Sequence, residues 1–444
     1  MTVSQHEQHG TERVQHEVPA GLETDCKTGL ASSSGGIFKG YFASERKWNF
    51  KKDDLLDARG RRLFESTAMA CAADAYPFQV PLEGKTGPII STEGRQMLML
   101  SSYDYLGLIG DPRIDEAAIE AVKKYGTGTG GARLLTGTLD LHHEMERDLA
   151  GLKGTEAALA FSSGYMANLG VITSLFGPAD RVVLDALCHR SLLDACKMAG
   201  VQVQKYRHND MDSLREELRG GAPANRTLII VDGVFSMDGD ICPLPELIAI
   251  KKEFGCFLLV DEAHSIGVIG GTGRGTDEYF GIGPEGIDIW TGSLAKSIPS
   301  TGGFVLMSKE LAIYMQHAAS PFIFSAAVSA PAAAVIRKGI EILKSEPERV
   351  ARLQENAVFL REGLNSLGFD TGLSETAVIP VVMGEDIQAA LFARKLRDHS
   401  ILACPVIFPA VAQGSARLRL CVTAAHTKAH LEYVLDTFQK LSKS

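Results

Sequence analysis

Short words in this sequence place reactive side chains where the backbone must turn. TGSLAKS carries Lys296 among small residues, which leaves room for a planar group beside an amine. FLLVDEAHSIG ends an apolar run in Asp261 and sets His264 one turn further on. DALCHRS brings His189 to the mouth of an amphipathic stretch. FSSGYMANLG sets Ser163, Gly164 and Tyr165 between an apolar run and a helical segment. Free N–H groups and the positive end of that helix make an anion site there. Taken singly, Lys296 reads as a surface lysine and Asp261 as a helix cap or ion-pair partner. Taken together, an amine, a carboxylate, a phosphate cradle and a histidine able to lie over a ring suit pyridoxal 5′-phosphate (PLP). That cofactor requires a lysine to carry it and a carboxylate to keep its pyridine nitrogen protonated.

Other words carry less than they promise. GTGTGG at 126–131 satisfies G-x-G-x-x-G, but a helical stretch precedes it and no helix opens after it, against the dinucleotide-binding context. DEAH at 261–264 has no phosphate-binding G-x-x-x-x-G-K-[ST] partner anywhere in the chain. His142-His143 has helical flanks and no neighbouring cysteine, so it reads as a satisfied or surface pair, and no metal site is predicted. FSSGY lacks the first glycine of a nucleophile elbow.

The elements that must position these groups follow a βα rhythm from Met97 onward. Strands are predicted over Ala157–Phe161, Arg181–Asp185, Val201–Tyr206, Thr227–Asp232, Phe257–Asp261, Ile289–Ser293 and Gly303–Met307. LIIVD and FLLVD are continuous apolar runs, as for parallel strands buried on both faces. Both end in an aspartate, at the strand ends beyond which ligands bind in open α/β sheets. After Pro331 come long helices, Val335–Leu343 and Pro347–Leu367, then a smaller α+β segment with strands near Val378–Val382 and Arg417–Leu420. The domain boundaries expected are an extension over 1–90, its first 35 residues mobile, a large PLP-binding domain over 91–330 and a small domain over 331–444.

A formal charge of −9 argues against nucleic acid or an anionic membrane as the main partner. Eight scattered cysteines without a C-x-x-C pair read as a reduced, cytoplasmic protein. The most apolar stretch, 321–336, is too short and too interrupted to span a bilayer.

From about residue 98 to 435 the chain resembles the PLP-dependent α-oxoamine synthase family, which includes 8-amino-7-oxononanoate synthase, serine palmitoyltransferase and 5-aminolevulinate synthase. The matching words are SSYDYLGL, GTGTGGARLLTGT, HHEME, FSSGYMAN, HRS, DGVFSMDGD, VDEAHSIGV, GSLAKS and ARLRLCVTAAHT, in family order. The resemblance implies an aspartate-aminotransferase-like (fold-type I) architecture: a seven-stranded, mainly parallel sheet with a smaller C-terminal α+β domain. It implies Lys296 as the cofactor-bearing base, Asp261 at the pyridine nitrogen, His264 near the ring hydroxyl and His189 stacked on the ring. Ser163, Gly164, Tyr165 and Ser293 would hold the phosphate, helped by Ser325 of a partner subunit, with Ser236 facing the ring hydroxyl. Arg419 would grip the substrate carboxylate.

The implied reaction joins an amino acid (serine, alanine or glycine) to an acyl thioester, on CoA or an acyl carrier protein. It gives an α-amino ketone, CO₂ and a free thiol, in a homodimer with shared active sites. Rival readings are an aminotransferase or lyase on the same fold, or a non-catalytic subunit of a heteromeric acyltransferase. Retention of Lys296, Asp261, His264 and His189 speaks against the last. Tyr103 and Ala132 stand where glycine-using relatives carry Asn and Thr, and both are expected to line the substrate pocket. The lysine word is altered to SLAKSIPSTGG, and SAA at 325–327 loses one hydroxyl of the family's S-T-x.

Overall fold

The computed structural model describes residues 58–72, 76–221 and 223–443. The expected mobility of residues 1–35 lies outside that range. Seven strands form the central sheet: β1 (Ala157–Phe161), β2 (Arg181–Asp185), β3 (Gln202–Tyr206), β4 (Thr227–Asp232), β5 (Phe257–Asp261), β6 (Ile289–Ala295) and β7 (Pro299–Met307). Their spatial order is β1-β7-β6-β5-β4-β2-β3. All neighbours are parallel except around β7, which runs against both β1 and β6. This is the predicted mainly parallel, seven-stranded sheet.

The sequence dictates this layout directly. Five of the six residues of β4 are buried, as both-face coverage by helices requires. The helix Leu244–Phe254 that carries the chain from β4 to β5 buries Leu244, Leu247 and Ile250, a 3–3 spacing on one face. Parallel register then sets Asp232 opposite Asp261, and Asp261 opposite Thr291. The carboxyl ends of β4, β5 and β6 therefore form one edge.

Two strand ends differ from the predicted bounds for a physical reason. β6 runs on to Ala295 and β7 starts at Pro299, because Ala295 pairs with Pro299 after a register shift between Ser293 and Ala295. A proline is accommodated at the first residue of a strand, where its missing N–H is not needed. Lys296 is thereby held in a tight hairpin between two strands.

Residues 348–443 build a second layer of packing. Strand Ala416–Cys421 lies between Val378–Gly384 and Cys404–Val406 in an antiparallel sheet. Helices Glu348–Ser366 and Lys428–Leu441 cover it through Leu360, Leu364, Leu431 and Phe438. The hairpin Ile89–Thr92/Arg95–Met99 joins this part, since its second strand pairs in parallel with Ile401–Leu402 and Leu98 lies in the same core. Helix Ala330–Ser345 instead buries Ile336 and Ile340 in the core of the large sheet.

Beneath the β5 end lies a buried cation. Lys153 is fully enclosed, with Nζ 2.7 Å from Asp277 Oδ1, 3.2 Å from Glu262 Oε2, 3.0 Å from the Arg274 carbonyl and 3.9 Å from the Trp290 ring centre. Burial raises the Glu262 pKa above the ordinary carboxylate value. Lys153→Met should cost about 3–5 kcal/mol of stability, because it strands two buried carboxylates. Glu262 binds its proton more readily folded than unfolded, so the loss should shrink as pH falls. Urea unfolding across pH 5 to 8 (roughly the stable range) checks this, and an unchanged midpoint at the upper end would contradict it.

Candidate active site

A cavity of about 210 Å³ opens at the carboxyl edge of β4, β5 and β6. Ser163, Gly164, Tyr165, His189, Asp261, His264, Ser293 and Lys296, all predicted site residues, line it together. Asn168, Asp232, Val234 and Ala263 complete the wall. A larger cavity, about 490 Å³, lies at the far edge of the sheet beside Phe176 and Trp290. Its Arg226 and Asp288 are already engaged by Asp180 and Lys251, both at 2.7 Å.

Each wall residue is set by a local rule. Ser163 caps the helix α1 (Gly164–Leu175), its Oγ accepting from Met166 N at 3.2 Å. Gly164 is needed for closeness: a Cβ there would meet Gly292 O at 3.2 Å and Ser293 Cβ at 3.3 Å. The first turn of α1 thus abuts β6 and offers its amide dipoles to an anion. His189 caps the helix α2 (Arg190–Ala199), and its backbone N–H donates to Asp232 Oδ2 at 3.2 Å. Tyr165 donates its hydroxyl outward to Asp194 at 3.1 Å.

Asp261 accepts from Asn168 Nδ2 at 2.8 Å on one oxygen and from Ala263 N at 3.0 Å on the other. Asp232, its partner in register, has a pKa pushed well above the usual value, first by burial and then by the Asp261 charge. Lys296 has its pKa lowered to about 8, with withdrawal from water the largest cause, partly offset by Asp261. His264 stands 2.8 Å from the Tyr105 hydroxyl, and burial followed by the charges of Lys296 and Arg419 pushes its pKa well down.

Arg419 reaches in from the second sheet. Its Nη1 donates to the Tyr103 hydroxyl at 2.7 Å, while Nε and Nη2 are buried with no partner among the described residues. The Tyr103 ring lies 4.6 Å from the Arg419 guanidinium carbon and 5.9 Å from Lys296 Nζ, so it links the two cations. Ser236 is buried in the loop after β4, outside the cavity wall. Ala132 and Ser325 are not brought in either. Ala132 bridges to Ala326, next to Ser325, and the exposed Leu135 and Phe324 flank that bridge. Asn168, Ser191 and Tyr105 were given no role in the sequence reading, though a lone Asn within the apolar ANLGVI stretch of α1 is a legible signal.

The residues present fit PLP on the structure's own terms. A helix start faces a glycine-only gap, an amine of lowered pKa faces a hydrogen-bonded carboxylate, and a buried guanidinium keeps two nitrogens without partners among the described residues. Fold and cavity together define a fold-type I PLP-dependent transferase. Residues 95–438 match the family Aminotransferase class I and II. The 8-amino-7-oxononanoate synthase of Symbiobacterium thermophilum is 41% identical over 363 residues, 82% of this chain and 92% of that one. Serine palmitoyltransferase from S. paucimobilis, solved with bound PLP–myriocin, superposes with a TM-score of 0.85 at 34% identity, covering 88% of this chain and 98% of that one. The 8-amino-7-oxononanoate synthase of Francisella tularensis gives 0.69 at 25% identity, covering 78% and 98%. The chain belongs to the α-oxoamine synthase branch of the class I and II aminotransferase family and is a PLP-dependent acyltransferase.

Lys296 yields a direct check. In protein freed of PLP, labelling of this lysine by an amine-reactive reagent should titrate with a midpoint near pH 8, the value to which burial lowers it. A midpoint at the ordinary lysine value, read by peptide mass spectrometry, would contradict the described environment.

Proposed function

We propose that the enzyme condenses a small α-amino acid with an acyl thioester, releasing CO₂ and a free thiol and leaving an α-amino ketone. The observation that carries this reading is Arg419, whose two unpartnered guanidinium nitrogens are buried beside Tyr103. A planar carboxylate can accept from both at once. Lys296, whose Nζ lies 5.9 Å from the centre of the same Tyr103 ring, is then the amine best placed to take the α-proton. A lysine of pKa about 8 is a competent base near neutrality.

PLP, when bound, supplies the electron sink into which negative charge beside the substrate nitrogen spreads. Asp261 keeps the ring nitrogen protonated, and Asn168 and Ala263 hold Asp261 in place to do so. Ser163, Gly164 and Ser293 hold the phosphate at the start of α1. His189 covers the ring, His264 serves its hydroxyl side, and Tyr165 closes the outer rim. Attack on the thioester carbonyl forms the new C–C bond and expels the thiolate. The thiolate takes a proton from solvent, and loss of CO₂ with return of a proton from Lys296 to carbon completes the balance.

The same reading makes the protein a homodimer. Leu135 at 77% and Phe324 at 84% exposure are costly to leave in water. Burying them against a second copy would carry Ser325 and Ala132 of each chain toward the other's cavity.

Two outcomes test the reaction. Asp261→Asn should lose most α-proton exchange with the amino-acid substrate while remaining folded, since a neutral amide cannot hold the ring proton; near-normal exchange would remove Asp261 from the role. Initial rates with glycine, alanine and serine, against one acyl-CoA and one acyl carrier protein, should show thiol release with alanine or serine at least equal to glycine. Ala132 in place of Thr discriminates by only about 1–3 kcal/mol, so a preference and not exclusion is expected. Strict glycine use would refute the enlarged pocket and leave the condensation standing.

A further inference from the structure

Asp261 and His189 are joined by an unbroken chain of hydrogen bonds through two residues outside the predicted site. Asn168, buried on α1, donates from Nδ2 to Asp261 Oδ2 at 2.8 Å and to Ser191 Oγ at 2.9 Å. Ser191, fully buried on α2, has its Oγ 2.7 Å from His189 Nδ1.

We propose that Asn168 and Ser191 are positioning residues that lock Asp261 and His189 in one frame and hold the His189 ring as its Nε2–H tautomer. The inference rests on the reading of this cavity as the PLP site. The proton inventory decides it. An amide nitrogen carries two protons, and both are spent, one on Asp261 and one on Ser191. Turning the amide over would set Oδ1 against the Asp261 carboxylate. Instead Oδ1 stays buried without a partner among the described residues, so the carboxylate dictates the orientation at the expense of one hydrogen bond. Ser191 Oγ already receives the Asn168 proton, which leaves its own hydrogen for His189 Nδ1. The Ser191 backbone N–H, a donor that cannot change sides, also faces Nδ1 from 3.4 Å. With two donors at Nδ1, the proton of the neutral ring sits on Nε2.

The frame has two further anchors. The His189 backbone N–H is held by Asp232, and the second Asp261 oxygen by the Ala263 N–H. Displacing either end must therefore disturb the other through the amide and the hydroxyl.

The test uses holoenzyme labelled with ¹⁵N-histidine, the His189 signals being identified by their loss in His189→Gln. Wild type should show a pyridine-type Nδ1 and a pyrrole-type Nε2. Ser191→Ala should mix the tautomers and move both signals toward an average, with little change in thermal midpoint. Asn168→Leu keeps similar bulk without donors. It should weaken PLP retention roughly tenfold, the effect of losing a hydrogen bond to a charged group. It should also shift the His189 signals, although Asn168 makes no hydrogen bond to that ring, which a merely space-filling role would not do. A pyrrole-type Nδ1 in wild type overturns the proposal, as do unmoved His189 signals in folded Ser191→Ala. Should Asn168→Leu fail to fold, those two measurements still decide. A wild-type protein that takes up no PLP would refute the cofactor reading instead, a distinct result.

Discussion

Two carboxyls buried at adjacent strand ends cannot both stay charged without compensation. Parallel register forces Asp232 and Asp261 side by side, and the site is organised around that fact. Asp261 receives two N–H donors, Asp232 takes the backbone N–H of His189 and is driven toward its protonated form, and Lys296 supplies the facing charge. The amine of lowered pKa shares the cavity with this pair of carboxyls, and the sheet register sets them there.

The same edge sits over a second charge problem. Glu262, the residue after Asp261, meets Lys153 instead, which Asp277 and the Trp290 ring also hold. Consecutive residues of one strand end thus serve two buried networks, one open to ligand and one sealed. The sealed network holds the backbone that aims Asp261 and His264.

Much of this was legible in the amino-acid order. The strands are apolar runs that end in polar residues, so Thr227–Asp232 and Phe257–Asp261 could be bounded to the residue. The lysine, the aspartate and the phosphate words fall at strand ends, where sheet topology alone brings them together. Tyr105 and Asn168 were less legible because their partners are remote: Tyr105 meets a residue 159 positions away and Asn168 one 93 away. Apart from the lone polar Asn168 in an apolar stretch, nothing local distinguishes such a contact from ordinary packing. Pro299 falls within the altered lysine word, and the hairpin uses it as a strand start. Ala132 and Ser325 could not be tied to the cavity by one chain's order, since they bridge each other's segments away from it.

Arg419 shows where the cost of order is met. Tyr103 holds one guanidinium nitrogen and leaves the other two facing inward, so this long side chain has little rotamer freedom left to lose. A flexible arginine would surrender about 2 kcal/mol of rotational entropy on gripping an anion. Here that loss belongs to folding and not to capture. For the carboxylate proposed to bind at this position, recognition would be lock-and-key: the fork is already cut, and the incoming group would supply only its own alignment.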